Sequence, residues 1–349
     1  MGTSARPKIH FFDPQDEKKA LRTAQKDKSR TDKQPKTRYR LTNWPAYNQA
    51  LIQRGSLQLW VDEDTLQNWY YQGPQKPGGA YRYSDACIEC ALRIKYVLAL
   101  AFRQTQGFIA SLFEAMKLNL QTPSYSQLCR RQAQLTQQLT PVESPLASQA
   151  PTHVVVDSTG LKVYGEGEWK VRQHGTSQRR TWRKVHVAYD EASNEVLAIA
   201  LTANSIDDAS MLGPLLDEVL LPISRLGADG AYDQAKVYDY LQARQIQPII
   251  PPRSNAISWT DQQGQVLAHA RNEALVAIDV LGLAEWKKQV GYHRRSKAET
   301  GMYRLKITFG ERLQSRGLTS QKVEVRLKAA CLNRFSSLGM PKAVKQAPT

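Results

Sequence analysis

Apolar runs and amphipathic repeats divide the chain into a helical first part and a second part in which strands alternate with helices. Three consecutive valines, Val154–Val156, indicate a buried strand at 153–158. Further strands are predicted at 161–165, 181–189, 195–202, 225–229 and 247–252, and helices at 206–220, 231–243, 292–309 and 320–338. This alternation predicts an α/β fold for the second part.

The first part, residues 39–138, carries helical patterns. Helices are predicted at 45–53, 63–71, 84–103, 108–116 and 124–138, with Ser84 as the N-cap of the third. The last two are compatible with a helix-turn-helix whose second helix offers Tyr125, Gln127, Arg130 and Arg131 to DNA. The alternative is that these side chains form an ordinary solvated face.

Three segments lie outside these two predicted domains, which span 39–138 and 152–340. Residues 1–38 alternate Lys and Arg with small polar residues, which predicts a disordered basic arm. Residues 139–151 contain Pro and Ser and are predicted to be a linker, and 341–349 a tail.

Positive charge is concentrated at the two ends of the chain. The formal net charge is +16; residues 1–40 hold 12 Lys and Arg against 5 Asp and Glu, and residues 281–349 hold 15 against 4. Nucleic acid is the partner that this distribution favours, because neutralised phosphates release counterions. A membrane surface is the other polyanion to consider, but no apolar run is long enough for a spanning helix or a signal peptide. We therefore expect a cytoplasmic protein without a membrane partner.

Tyr292, Arg295, Glu299 and Lys306 share one stripe of the predicted helix at 292–309. At about 100° per residue, their offsets of 0, 3, 7 and 14 place all four within roughly 60° of one another. A carboxylate flanked by cations and a phenol suits a polyanionic partner. An ordinary exposed charged stripe is the alternative interpretation.

Two aspartates upstream complete a set of three acids. Asp157 and Asp229 each lie at the end of a predicted strand, where open α/β sheets place their ligand crevice. A single Asp in such a place is more often a turn or cap residue. Three converging carboxylates repel one another unless a divalent cation holds them, and hard oxygen ligands suit Mg²⁺ or Mn²⁺.

The blocks around these acids resemble the signatures of one enzyme family. DST after the valine run, DGAYD at Asp229, and Y-x2-R-x3-E-x6-K through Glu299 look like those of bacterial insertion-sequence DDE transposases of the insertion sequence five family. The resemblance covers residues from about 36 to 340. It implies a ribonuclease-H-like mixed-sheet catalytic domain, preceded by a mostly helical DNA-binding domain.

The resemblance also implies an activity. The protein would bind the terminal inverted repeats of a mobile element, hydrolyse phosphodiesters at its ends and join the freed 3′-hydroxyls to target DNA. Asp157, Asp229 and Glu299 would hold two Mg²⁺ or Mn²⁺ ions, with Asp157 bridging them, while Tyr292, Arg295 and Lys306 would contact DNA.

Assembly on paired ends implies a homo-oligomer, working in the bacterial cytoplasm at the nucleoid. Two alternatives stay open at this point. A metal-dependent nuclease without strand transfer would use the same acids, whereas a DNA-binding regulator would leave them without a role.

Overall fold

A computed structural model describes residues 39–74, 81–135, 142, 144–146, 152–163 and 182–346. The predicted basic arm at 1–38 and most of the predicted linker at 139–151 lie outside these residues. The described chain forms two compact units, a small one made of 39–48 with 341–346 and a large one at 49–340. In the small unit, β1 (Tyr39–Leu41) pairs antiparallel with β8 (Ala343–Lys345).

The first part is helical, as predicted. Its helices are α1 (Trp44–Gln53), α2 (Glu63–Gln67), α3 (Asp85–Val97), α4 (Phe102–Ala115) and α5 (Tyr125–Gln134). The Ser84 side chain caps α3 by accepting a hydrogen bond from the Cys87 N–H at 3.0 Å. The expectation that this helix runs to residue 103 is wrong, because Ala99 takes a left-handed conformation, with φ of 53°, that ends it.

A mixed sheet forms the centre of the second part. Its strands are β2 (Thr152–Val163), β3 (Trp182–Asp190), β4 (Val196–Ala203), β5 (Ile223–Gly227), β6 (Gln247–Ile249) and β7 (Arg312–Leu313). They are ordered β4-β3-β2-β5-β6, with β7 beside the end of β2. The neighbours on one side of β2 are antiparallel, and β5 and β6 on the other side are parallel. This arrangement confirms the expected ribonuclease-H-like mixed sheet.

The predicted break between two strands at 153–158 and 161–165 is absent. Residues 152–163 form one strand, because β3 pairs with it from Val154 to Lys162 without interruption. Thr159 and Gly160, which lie between the two predicted strands, are therefore strand residues.

Helices cover both faces of the sheet. The helices of the second part are α6 (Asp208–Asp217), α7 (Ala235–Ala243), α8 (Ala270–Leu281), α9 (Leu283–Gln289), α10 (Ser296–Phe309) and α11 (Leu318–Leu338). On one face, Val154 and Val156 of β2 share a buried cluster with α6 and α7. On the other, Val155 and Leu161 share a cluster with α10 and α11. Within the described ranges, no helix is long and apolar enough to cross a membrane.

The helices of the first part share this second cluster. α11 lies between them and the sheet, and the buried Gln132 amide of α5 donates to the Ser320 carbonyl of α11 at 2.8 Å. The division into domains at 39–138 and 152–340 stays a prediction. In the structure, the helices and the sheet belong to the same compact unit.

Candidate active site

Asp157 lies near the middle of the central strand, β2. Because side chains alternate along a strand, it faces the same side of the sheet as the buried Val155. Its Oδ1 accepts a hydrogen bond from the backbone N–H of Ser158 at 2.8 Å. Burial raises the pKa of the Asp157 carboxyl, the Ser158 N–H and Arg295 oppose the shift, and the charges of the other two acids add to it.

The register between β2 and β5 places Asp229 beside Asp157. β5 runs parallel to β2, and Val155 lies opposite Gly227. Asp157 lies two residues after Val155, and Asp229 lies two residues after Gly227. The two adjacent strands therefore place both carboxylates side by side, at the carboxyl end of β5. The Asp229 side chain also caps a short 3₁₀ turn by accepting from the Ala231 N–H at 2.9 Å.

Glu299 is carried by α10, which packs against β2 and β3. The buried side of this helix includes Ala298, Met302 and Leu305, whereas Glu299 is exposed. Gly301 permits the close approach, since a Cβ at this position would lie 2.3 Å from Cζ of Tyr189. The absence of a side chain at Gly301 therefore sets how close α10, and with it Glu299, lies to the sheet.

The prediction that the helix of Glu299 begins at Tyr292 is wrong. Gly291 takes a left-handed conformation with φ of 71°, and Tyr292–Arg295 form a 3₁₀ turn before α10 begins at Ser296. Only the part of the stripe from Arg295 onward keeps helical spacing. Arg295 and Glu299 still lie one turn apart, where side chains meet.

Arg295 joins two of the acids. Its Nη1 donates to Asp157 Oδ2 at 3.0 Å, and its Nη2 donates to Glu299 Oε1 at 2.5 Å. The ring of Tyr292 lies 5.9 Å from the guanidinium carbon. Burial raises the pKa of the Tyr292 phenol, with a further contribution from the charge of Asp229. Five of the predicted site residues are therefore electrostatically coupled.

Lys306 lies apart from this group. It is seven residues beyond Glu299 on α10, a rise of roughly 10 Å along the axis. Its charge, together with the stronger contribution of Lys162, lowers the pKa of the Glu311 carboxyl. The structure thus places Lys306 on the same helix as Glu299 but not within the group of acids.

The two arginines predicted on an exposed face of α5 differ. Arg130 is exposed, but the expected exposure of Arg131 is wrong, since only 7% of that residue is accessible. The Arg131 guanidinium donates to the Tyr83 carbonyl at 2.9 Å, pairs with the Asp85 carboxylate and lies 4.0 Å from the centroid of the Tyr81 ring. It fastens α5 to the start of α3.

The acids fit a divalent cation by their chemistry. All three offer hard carboxylate oxygens, and burial is the main cause of the raised pKa of Asp157. In the part of the chain that the structure describes, no three His, Cys, Asp or Glu side chains are close enough to hold a metal ion as they stand. Between Asp157 and Glu299 lies the guanidinium of Arg295.

Sequence reasoning missed a second use of the DGAYD block. Asp233 accepts from Arg271 Nε at 2.7 Å, and both side chains are buried. The second acid of the block was visible in the sequence, but nothing identified a partner 38 residues away. His186 has a structural role: its Nε2 lies 2.9 Å from Thr202 Oγ1, and burial lowers its pKa to about 4.

Comparison with known proteins identifies the family. Residues 148–334, more than half of the chain, match the model of a transposase DDE domain, and residues 52–166 match a second model that carries the same description. Among solved structures, the chain is similar to a piggyBac transposase in a synaptic complex with hairpin DNA, at 10% identity and a TM-score of 0.37, covering 82% of this chain and 74% of that one. It is also similar to a pre-cleavage Mos1 transpososome, at 13% identity and a TM-score of 0.20, with coverage of 77% and 82%. On the strength of the family match, the chain belongs to the DDE transposases.

Proposed function

We propose that Asp157, Asp229 and Glu299 form the catalytic centre of this transposase. With this centre the protein hydrolyses a phosphodiester at each end of a mobile element and joins the freed 3′-hydroxyl to target DNA. DDE transposases are metal-dependent, and two Mg²⁺ ions, or Mn²⁺ in their place, are the cofactors that three carboxylates would hold.

One observation carries the assignment of the residues. Asp157 and Glu299, 142 positions apart in the sequence, bind opposite ends of one guanidinium at 3.0 and 2.5 Å. The charge of Asp229 raises the pKa values of both Asp157 and Arg295, although it is not the largest contribution to either. Acids that are far apart in the sequence are therefore close enough to interact, which supports their assignment to one site.

A bound divalent cation supplies Lewis-acid stabilisation for the charge that develops on the phosphoryl group. The protein's own contribution is to hold the carboxylates. The Ser158 N–H fixes one oxygen of Asp157, the Ala231 N–H fixes one oxygen of Asp229, and Gly301 sets the depth of the helix that carries Glu299. Hydrogen bonds and packing of this kind keep the carboxylates in position for an in-line displacement.

DNA contacts are proposed on two surfaces. Tyr292, Arg295 and Lys306 would hold phosphates beside the acids, and Arg130 of α5 would contribute to recognition of the element ends by the helical part. Arg131 is left out, because its guanidinium is already bound to Asp85. We further propose a homo-oligomer on paired ends, acting on the nucleoid in the cytoplasm.

The test uses the full chain, Mg²⁺ and a DNA fragment that carries the element's own ends, with cut and joined strands mapped on sequencing gels. Asp157→Asn, Asp229→Asn and Glu299→Gln should each lower the cleavage rate about a thousandfold or more, since metal stabilisation amounts to several kcal/mol. Asp217→Asn, an exposed acid that pairs with Arg244, is the matched control and should cleave as the wild type does.

Wild-type cleavage by any of the three variants would remove that residue from the centre. Cleavage without joined products would favour a metal-dependent nuclease. Binding of the ends with no cleavage by the wild-type protein would favour a regulator.

A further inference from the structure

Arg295 is placed as a counterion inside the proposed catalytic centre. Its two terminal nitrogens point to different acids, Nη1 to Asp157 at 3.0 Å and Nη2 to Glu299 at 2.5 Å. The side chain of Arg295 is only 19% exposed. The guanidinium therefore lies between two carboxylates that a divalent cation would otherwise draw together.

The charges around this contact do not balance. Three carboxylates, Asp157, Asp229 and Glu299, act on one Arg295, and the adjacent Arg294 is directed to Glu191 at 3.3 Å. Lys287 lies over the Tyr292 ring, 5.1 Å from its centroid. Arg295 thus relieves part of the repulsion among the acids and leaves the group with an excess of negative charge.

The position of Arg295 conflicts with a bound metal ion. Two cations repel each other strongly where water is partly excluded. Within the described residues, no cluster of acids is compact enough to hold a metal as it stands. For the acids to bind an ion together, the guanidinium must leave at least one of its two carboxylates.

DNA offers the guanidinium another anion. An arginine fork fits carboxylate and phosphate alike, since both accept two parallel N–H donors. Glu299 is 58% exposed at its side chain, so the outer half of the contact faces the solvent from which DNA approaches. The inner half, to Asp157, is shielded.

We propose that Arg295 is an exchangeable counterion that couples metal loading to DNA binding. In the free protein it holds Asp157 and Glu299, and when DNA binds it moves to a phosphate and releases the carboxylates for divalent cations. Linkage requires the reverse effect as well: the metal must strengthen DNA binding by the same factor. This inference rests on the proposed function, because it assumes that the acids bind metal.

The test measures Mn²⁺ affinity of the full-length protein by electron paramagnetic resonance of the free ion. Titrations are done alone and with a short DNA duplex, after subtraction of the Mn²⁺ that the duplex binds by itself. Arg295→Gln removes the counterion, and Lys287→Gln removes a nearby cation that does not touch the acids. Circular dichroism checks that each variant is folded.

Without DNA, Arg295→Gln should bind Mn²⁺ at least about tenfold more tightly than the wild type. DNA should tighten Mn²⁺ binding to the wild type by about the same factor, and have little effect on Arg295→Gln. Lys287→Gln should follow the wild type in both titrations. That behaviour separates exchange of Arg295 from a general change in electrostatic potential.

Equal Mn²⁺ affinity of Arg295→Gln and wild type without DNA would overturn the inference. So would an undiminished effect of DNA on Arg295→Gln. Asp157→Asn distinguishes this failure from failure of the proposed function: if it binds Mn²⁺ as the wild type does, with and without DNA, the catalytic centre itself has been assigned wrongly.

Discussion

The two aspartates of the DGAYD block meet arginine in opposite ways. Asp233 forms a closed pair with Arg271, in which the side chains are 1% and 6% exposed. Asp229 belongs to an open group with Asp157, Glu299 and Arg295, where three acids act on one cation. Four residues of sequence therefore separate a structural ion pair from the proposed catalytic centre.

The Asp233–Arg271 pair makes its hydrogen bonds to groups of the protein itself. Asp233 accepts from Arg271 Nε at 2.7 Å and from the Arg253 N–H at 3.0 Å. Arg271 Nη1 donates to the Ile257 carbonyl at 2.7 Å, and its guanidinium lies 4.3 Å from the Trp259 ring. Because charge and hydrogen bonds are matched within the protein, the pair holds the loop after β6 against the DGAYD turn.

The open group differs in balance and in access. Its carboxylates outnumber the cation, and the Glu299 side chain is more than half exposed. Removing one partner of a matched buried pair destabilises a fold, whereas an unmatched, accessible set of charges attracts counterions. The difference indicates that charge balance, more than residue type, separates the structural acid Asp233 from the acids of the proposed catalytic centre.

Breaking the closed pair should produce the largest change in stability. Asp233→Ala leaves the Arg271 charge buried and unpaired, and should lower the free energy of unfolding by about 3 to 5 kcal/mol. Urea denaturation measures the loss. Asp229→Ala, in the same turn but solvent-accessible, should cost at most about 1 kcal/mol. Equal losses would mean that the two aspartates do not differ in the way proposed.

The buried His186 provides a second test of how burial affects an ionisable side chain. Burial lowers the pKa of His186 to about 4 from 6.5, so the unfolded chain takes up a proton at a higher pH than the folded protein. The free energy of unfolding should therefore fall by about 2 to 3 kcal/mol as pH drops from 6.5 to 4, and stay unaffected by this group above 6.5.

Urea titrations across this pH range measure the effect. His186→Asn should reduce the acid loss, whereas His293→Asn, at an exposed position, should leave it unchanged. The same acid dependence in both variants would exclude His186 as its source.

Arg130 and Arg131 of α5 allow the same comparison of an exposed charge with a buried, paired charge in the helical part. Arg131→Ala removes hydrogen bonds of a buried charged group and should cost about 1.5 to 3 kcal/mol in urea denaturation. Arg130→Ala should change stability by less than about 0.5 kcal/mol. If Arg130 contacts a phosphate, its removal should also lower the salt slope of DNA binding by about one unit.

The smallest of these changes in stability is expected for a substitution that shifts Glu299 within the open group. Gly301→Ala brings a methyl group against Tyr189, and overpacking outweighs the gain in helix propensity, for a net cost of about 1 to 2 kcal/mol. DNA cleavage should fall further than stability does, because α10 shifts away from the sheet. Gly107→Ala, in α4 with no atom within 4 Å of the new methyl, should be neutral or stabilising. Full cleavage activity by Gly301→Ala would show that the depth of α10 does not position Glu299.

Much of the fold followed from local pattern. The valine run predicted the central strand, and the Ser84 cap predicted the start of α3 within one residue. Element ends were less well predicted where conformation depends on single residues, as at Ala99 and Gly291 with their positive φ values. Helices α8 and α9 were not predicted, since 253–290 carries no clear apolar period.

By itself, the sequence determined which acids are candidates and which elements carry them, because strand and helix periods and short motifs are local properties. Tertiary structure alone decided which charges meet. It paired Asp233 with Arg271, buried Arg131 against Asp85, and set Arg295 between Asp157 and Glu299. Coulomb energies depend on distance and on the exclusion of water, and neither is fixed until strands and helices have packed.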